Sequence, residues 1–150
     1  EDGLGAALCL DDQIVRGAHS HAGEIGHTVV RMDGTPCPCG RRGCAQMEHR
    51  AALERGEDEL AARILAEVVV NLVRLVDVDR VVLGGRTVHE QHEASMDAIR
   101  EALTAGLSDE PWVHVEVMLS TRGMDLIAVG AACEVLEHEY GLPQVLVGPE

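Results

Sequence analysis

Eight residues, Cys37-Pro38-Cys39-Gly40-Arg41-Arg42-Gly43-Cys44, carry three of the chain's five cysteines and constrain it more than any other segment. Zinc is held by about four soft or borderline donors in a tetrahedron, and a segment this short supplies three of them without help from distant parts of the chain. Residues two apart on an extended segment point the same way, so Cys37 and Cys39, stiffened by Pro36 and Pro38, can present both thiolates to one ion. Gly40 and Gly43 let the backbone turn and bring Cys44 back to it. The fourth donor is an imidazole. His27, in Gly23-Glu24-Ile25-Gly26-His27, lies beside a glycine that relaxes the backbone, and His21 and His49 are near enough to compete. Three thiolates leave no open coordination position, so the expected site is structural, with about one zinc per chain. Disulfides are the alternative, but five cysteines leave one unpaired. Cys9 and Cys133 stand in apolar runs and read as small buried thiols.

The stretch from Gly3 to Cys44 resembles the ROK family (repressor, open reading frame, kinase), whose signature is GEIGH followed by CxCGxxGC. The resemblance assigns His27, Cys37, Cys39 and Cys44 as zinc ligands within a zinc loop spanning 23–48. It also implies that Glu24 hydrogen-bonds hydroxyls of a bound sugar, with the second nitrogen of His27 pointing into the same pocket. A metal-bound imidazole keeps one tautomer, so its other N–H is a pre-aimed donor, and a neighbouring carboxylate accepts well from vicinal hydroxyls. Gln46 occupies the position where the family commonly has a sugar-contacting glutamate. An amide still bonds hydroxyls there, without charge assistance. In the family's kinases a glycine turn like Gly84-Gly85 approaches the adenosine of ATP; on residues alone the pair is a strand-to-helix turn.

Where those kinases present a glycine-threonine-glycine phosphate loop, this chain reads Glu1-Asp2-Gly3-Leu4-Gly5, and acids there repel phosphate. Gly3 and Gly5 would line a nucleotide only in a kinase. The family's DxGxT motif and catalytic aspartate do not stand before Glu1, and phosphoryl transfer needs nucleotide, magnesium and base positioned together. The chain is therefore expected to be no enzyme and to carry no catalytic residue. Residues 1–150 read as a single C-terminal lobe, with the N-terminal lobe and any DNA-binding module elsewhere.

Twelve basic against 26 acidic residues give a net charge of −14, a surface that repels nucleic-acid backbones. Arg41, Arg42, Arg50 and Arg55 are diluted by Glu48, Glu54, Glu57 and Asp58 into a solvated surface. No run approaches 18 apolar residues and no leader opens the chain, so no membrane contact is expected and cytoplasm is the default; a thiolate site suits that reducing compartment. Trp112 and Tyr140 are the only rings, so the core must be aliphatic and a sugar must be recognised by polar side chains.

Leu8 to Gly17, with Asp11-Asp12 at its turn, reads as a hairpin. Glu57–Val76 has apolar residues at three-to-four spacing and predicts a helix. A buried strand at Asp79–Gly85, a helix at His89–Leu107, a strand at Val113–Leu119 and a helix at Asp125–Tyr140 follow. His89 and His92 could pair on a metal but read as a polar helix start. The dozen residues between Cys44 and Glu57 are fewer than the longer helical segment the family inserts there. This alternating order predicts an α/β fold with a mixed sheet, and the resemblance implies one lobe of the actin-like, ribonuclease H-like fold. The reading that follows is a zinc-stabilised, sugar-sensing effector lobe of a ROK-type transcriptional regulator, closer to the family's repressors than to its kinases. It binds a sugar or amino sugar, reaches DNA only through a module outside this chain, and forms a homodimer or higher homo-oligomer. The alternatives are a lobe of an ATP- and magnesium-dependent sugar kinase and a non-catalytic zinc-stabilised interaction domain.

Overall fold

The computed structural model describes residues 3–85, 92–107 and 114–141. Strands β1 (Cys9–Leu10) and β2 (Gln13–Ile14) form an antiparallel hairpin pairing Cys9 with Ile14 and Leu10 with Gln13. Asp11 and Asp12 turn it with φ of 50° and 60°, the two left-handed residues whose twist matches the flanking strands and which aspartate tolerates. The hairpin sits where the sequence puts it. Both faces are exposed, however, so Cys9 is an exposed thiol and not the buried one expected, because no layer of the fold covers the strand that carries it.

Helix α1 (Ala45–Glu54) fills most of the interval in which no helix was expected. It begins at Cys44, whose extended backbone lets the chain enter the first turn, and ends at Gly56, whose φ of 71° is the left-handed conformation that closes a helix. An ion pair of 2.6 Å between Arg55 and Glu57 spans the turn into α2 (Asp58–Val76). Helix α2 buries Ala61, Ala62, Leu65, Ala66, Val68, Val69, Val70 and Val73. It stops where Asp77 adopts φ 57° and donates its N–H to the carbonyl of Val73.

Strand β3 (Arg80–Leu83), helix α3 (His92–Gly106) and strand β4 (Glu116–Leu119) follow, with β3 and β4 pairing in parallel from Arg80 beside Glu116 to Leu83 beside Leu119. Parallel pairing requires a long crossover, and α3 lies within it. The expected mixed sheet is not what forms among the described residues. They hold two separate two-stranded sheets, the two-residue hairpin strands pairing with one another and the parallel pair standing apart. The first residues of the expected second helix, the first of the expected strand at Val113, and Trp112 lie outside the described residues, as do Glu1, Asp2 and His89. Helix α4 (Leu126–Tyr140) closes the described chain after a short 3-10 turn at Gly123–Asp125.

The core lies between α2, α3 and the parallel pair: Leu65, Val69, Val70 and Val73 meet Met96, Ile99 and Leu103, capped by Leu83 and Val117. It is aliphatic throughout, as the scarcity of rings demands. Gly106 lets α3 approach α2, since a Cβ there would sit 3.1 Å from Val70 Cγ1. Gly84 is held by a similar closeness, its absent Cβ falling 2.1 Å from Leu126 Cδ2 at the start of α4. No helix of the described residues is long and apolar enough to cross a membrane. Ile99 is fully buried at the centre of this core. Ile99→Ala should cost about 2–5 kcal/mol in a urea unfolding titration, and a loss within error would contradict this placement of the core.

Candidate metal centre

The segment from Gly3 to Cys44 is folded largely by backbone hydrogen bonds around glycines. Ala6 N–H donates to Gly23 C=O at 2.8 Å and Gly26 N–H to Leu4 C=O at 3.1 Å, laying the first residues beside the GEIGH element. That approach needs glycine: a Cβ on Gly26 would stand 2.4 Å from the Leu4 oxygen. Ile25–His27 then forms a 3-10 turn that presents the imidazole.

The cysteine limb folds back as a miniature hairpin. Cys37 N–H donates to Arg41 C=O at 2.9 Å, Gly40 N–H to Cys37 C=O at 3.0 Å, and Gly43 N–H to Thr35 C=O at 2.8 Å. Cys37 and Cys39 therefore lie in a tight turn and not on the extended segment expected, one thiol buried and the other exposed. Gly43, at φ 70°, passes so close to Arg31 that a Cβ would fall 1.6 Å from its carbonyl oxygen. This crossing brings Cys44, fully buried, beneath the turn.

The donor atoms of His27, Cys37, Cys39 and Cys44 all lie within 4.8 Å of one another, the one such cluster among the described residues and one that can hold a metal ion. Cys39 and Cys44 Sγ are 3.6 Å apart, and Cys37 Sγ is 3.5 Å from His27 Nδ1. A tetrahedron with metal–sulfur bonds of about 2.3 Å and metal–nitrogen bonds of about 2.05 Å has sulfur–sulfur edges of about 3.8 Å and sulfur–nitrogen edges of about 3.6 Å. These two edges lie close to those values while the widest pair reaches no more than 4.8 Å, whereas a disulfide brings its sulfurs to about 2.05 Å, and all five cysteines are free. His21 is exposed and His49 is buried in α1; neither joins the cluster.

Thiol acidities differ sharply across it. The backbone N–H of Arg41 and the Cys37 thiol lower Cys39 to about 7, while burial, with the Cys39 thiol, pushes Cys44 up to about 12. Without a cation to oppose them, the buried sulfur keeps its proton.

The other nitrogen of His27 points away from the sulfurs, with Nε2 4.0 Å from Glu24 Oε2 at the surface. Gln46 stands beside both elements. Its Nε2 is 3.9 Å from Cys37 Sγ, and its Oε1 lies where a Cβ on Gly26 would be 2.8 Å away. Gly3 is also near this amide, whereas Gly5 faces open space. Gly84 and Gly85 lie at the far end of β3, in a different part of the fold.

Glu48, expected on a solvated surface, and His49, a competing candidate for the fourth donor, are both interior. Glu48 is 6% exposed and His49 7%, because α1 turns that face toward the cysteine loop and α2. Glu48 accepts the N–H of Thr35 and lies 3.7 Å from Arg31. A single charged residue on a short helix has no periodic signal that could have marked it as buried. Burial lowers the His49 pKa below its ordinary 6.5, so the fold holds the imidazole neutral.

Three outcomes follow from this geometry. Metal uptake near pH 7 must expel the Cys44 proton, so calorimetric heats of metal binding will vary with the ionisation enthalpy of the buffer, and affinity will rise with pH; buffer-independent heats would contradict it. Gly43→Ala, strained and clashing, should abolish metal retention in a chelator challenge, and full retention would show the crossing to be dispensable. The unfolded chain takes up a proton at His49 as pH falls through about 6.5, while the folded chain resists it, so stability is lost on acidification. His49→Gln should flatten that loss between about pH 7.5 and 5.5 in denaturant titrations, and an unchanged slope would refute it.

Residues 1–56 match the family model described as "ROK family". The chain is 31% identical over 124 residues to protein YphH of Escherichia coli K12, covering 83% of this chain and 26% of that protein. It is 20% identical over 162 residues to the xylose repressor of Bacillus subtilis (91% of this chain, 42% of the repressor). It is 34% identical over 111 residues to the kanosamine kinase of Amycolatopsis mediterranei (55% of this chain, 37% of the kinase). The chain thus spans less than half the length of these relatives. Among solved structures it is similar to a ROK family glucokinase from Streptomyces griseus in complex with glucose and AMPPNP, at TM-score 0.73 and 24% identity over 87% of this chain and 56% of that one. A ROK family transcriptional regulator, a homologue of the E. coli MLC protein, follows at TM-score 0.61 and 18% identity, covering 78% of this chain and 39% of that one. The kinase relatives overturn the expectation that the chain is no enzyme: acids before Gly3 were given too much weight, and proteins named as kinases are among those it most resembles. The matched segment, residues 1–56, is the one that carries the GEIGH element and the cysteine cluster and belongs to the ROK family, and the α/β fold of the chain is that of ROK kinases and a ROK regulator of known structure.

Proposed function

We propose that residues 1–150 are the C-terminal lobe of a ROK protein in which zinc, held by His27, Cys37, Cys39 and Cys44, organises a sugar-recognition surface. The observation that carries the reading is the division of labour across His27. Its Nδ1 faces the sulfurs while Nε2 faces the Glu24 carboxylate. Bound zinc supplies charge and a fixed ring orientation and, with three thiolates in its shell, no open position for chemistry. The chain's own residues do the recognising. His27 Nε2–H donates outward, the Glu24 carboxylate accepts from an adjacent hydroxyl, and the pair is spaced for neighbouring oxygens of one sugar ring. Gln46, next to both, adds an amide able to donate and accept. The lobe then acts as the effector part of a transcriptional regulator in the cytoplasm, working as a homodimer or higher homo-oligomer and reaching DNA through another module. The xylose repressor, matched over 91% of this chain, supports that role.

A second reading, an ATP- and magnesium-dependent sugar kinase, is favoured by the higher TM-score to the glucokinase, 0.73 against 0.61 for the regulator. In it Gly84 and Gly85 would meet nucleotide, with Gly3 and Gly5 near its phosphates.

Calorimetric titration of hexoses, pentoses and amino sugars into the whole protein tests the recognition step. At least one sugar should bind, and Glu24→Ala should weaken it about tenfold or more, as loss of a hydrogen bond to a charged group does. Silence across the panel would reject the sugar site. Phosphorylation of a bound sugar on adding ATP and magnesium would replace the sensor reading with the kinase reading.

A further inference from the structure

Neither the donor cluster nor the proposed sugar contact accounts for the buried carboxylate of Glu48. It lies one helical turn beyond Cys44, on α1, and accepts the N–H of Thr35, two residues before Cys37. The carbonyl of Thr35 accepts the N–H of Gly43 at 2.8 Å, immediately before Cys44. Both backbone groups of Thr35 are thus engaged by the part of the chain that carries Cys44. Gly34 leaves room for the carboxylate: a Cβ there would be 2.3 Å from Glu48 Oε1 and 2.9 Å from the Cα of Gly43. The cation beside it, Arg31 at 3.7 Å, has a side chain 72% exposed and supplies little compensation for burying a charge. A carboxylate 6% exposed costs stability unless its hydrogen bonds are made. Here a hydrogen bond is made to the segment whose position sets where Cys37 and Cys39 stand.

We propose that Glu48 is a positioning residue of the metal centre, latching the limb that bears Cys37 and Cys39 to the helix that begins at Cys44. The inference rests on the reading that the cluster holds a metal. The four donors come from three pieces of chain: a 3-10 turn, a miniature hairpin and a helix start. The hairpin is joined to the helix through Gly43 and the Thr35–Glu48 bond. Cutting that bond leaves every ligand in place but frees Cys37 and Cys39 to move relative to Cys44.

The test is metal release to a chelator together with the visible spectrum of the cobalt-substituted chain. Glu48→Ala should lose metal about tenfold faster or more, the effect expected when a group orienting a ligand is removed, and should alter the cobalt ligand-field bands. Glu48→Gln, which keeps an oxygen to accept the Thr35 N–H, should stay within about threefold of the unaltered chain with its spectrum preserved; Glu48→Met, which fills similar space without that acceptor, should lose metal as Glu48→Ala does, and rescue by Met would show a residue needed only to fill space. Should Glu48→Ala fail to fold, Glu48→Met, which keeps the space filled but removes the acceptor, carries the test in its place and should show the faster loss. Release at the unaltered rate with an unaltered spectrum, in whichever of the two folds, would overturn the latch. If the unaltered chain itself takes up no metal, the reading beneath the latch falls instead, and that result is recognised before any variant is made.

Discussion

Convergence of three sulfurs and one imidazole nitrogen within 4.8 Å governs the first third of this molecule. Residues 3–44 contribute little to the aliphatic core, being mostly exposed or half-buried, with their shape set by tight glycine crossings and short backbone bonds. A segment like that gains too little from apolar burial to offset its conformational entropy. A metal ion with three thiolate bonds offsets that cost where apolar contacts cannot. The acidities of Cys39 and Cys44 are opposed, about 7 and about 12, the first lowered by the Arg41 backbone and the second raised by burial.

From there the influence runs outward through α1. The helix starts at a ligand, buries Ala45 and Ala52, and packs on both the 3-10 turn that carries His27 and on α2. Helix α2 is also one wall of the main core, so the cysteine loop and the α2–α3–β3–β4 layer are coupled through this ten-residue helix and through Leu4, which packs on the core and accepts the Gly26 N–H. A ligand that engages Glu24 and the outer nitrogen of His27 would press on the same helix. The contacts of α1 with the 3-10 turn and with α2 thus join the surroundings of His27 to the main core.

Spacing, glycines and residue type pointed to one chemistry for the three cysteines; choosing His27 over His21 and His49 needed the family resemblance, and it is His27 that the structure gathers with the three sulfurs. Hairpin and long helices were readable as well, through Asp11-Asp12 and the apolar spacing of α2. Helix α1 was not, since Gln-Met-Glu-His-Arg offers no apolar stripe, and it folds because Cys44 anchors one end and Gly56 closes the other. Burial of Glu48 and His49 was hidden for the same reason: polar residues enter an interior only when a tertiary partner receives them, and such partners leave no mark in local periodicity. Cys37-Pro38-Cys39 was read as extended, while the Gly40 N–H bond to Cys37 curls it into a turn. The sheet was expected to be mixed, but the hairpin strands, two residues each, pair with one another and do not join the parallel pair.

The central claim is that His27, Cys37, Cys39 and Cys44 form one zinc shell, and X-ray absorption at the zinc edge, on protein purified without added metal, tests it most directly. The account predicts a shell of about three sulfurs at about 2.3 Å and about one nitrogen at about 2.0–2.1 Å. An absent zinc edge, or a shell of oxygen ligands, would contradict it.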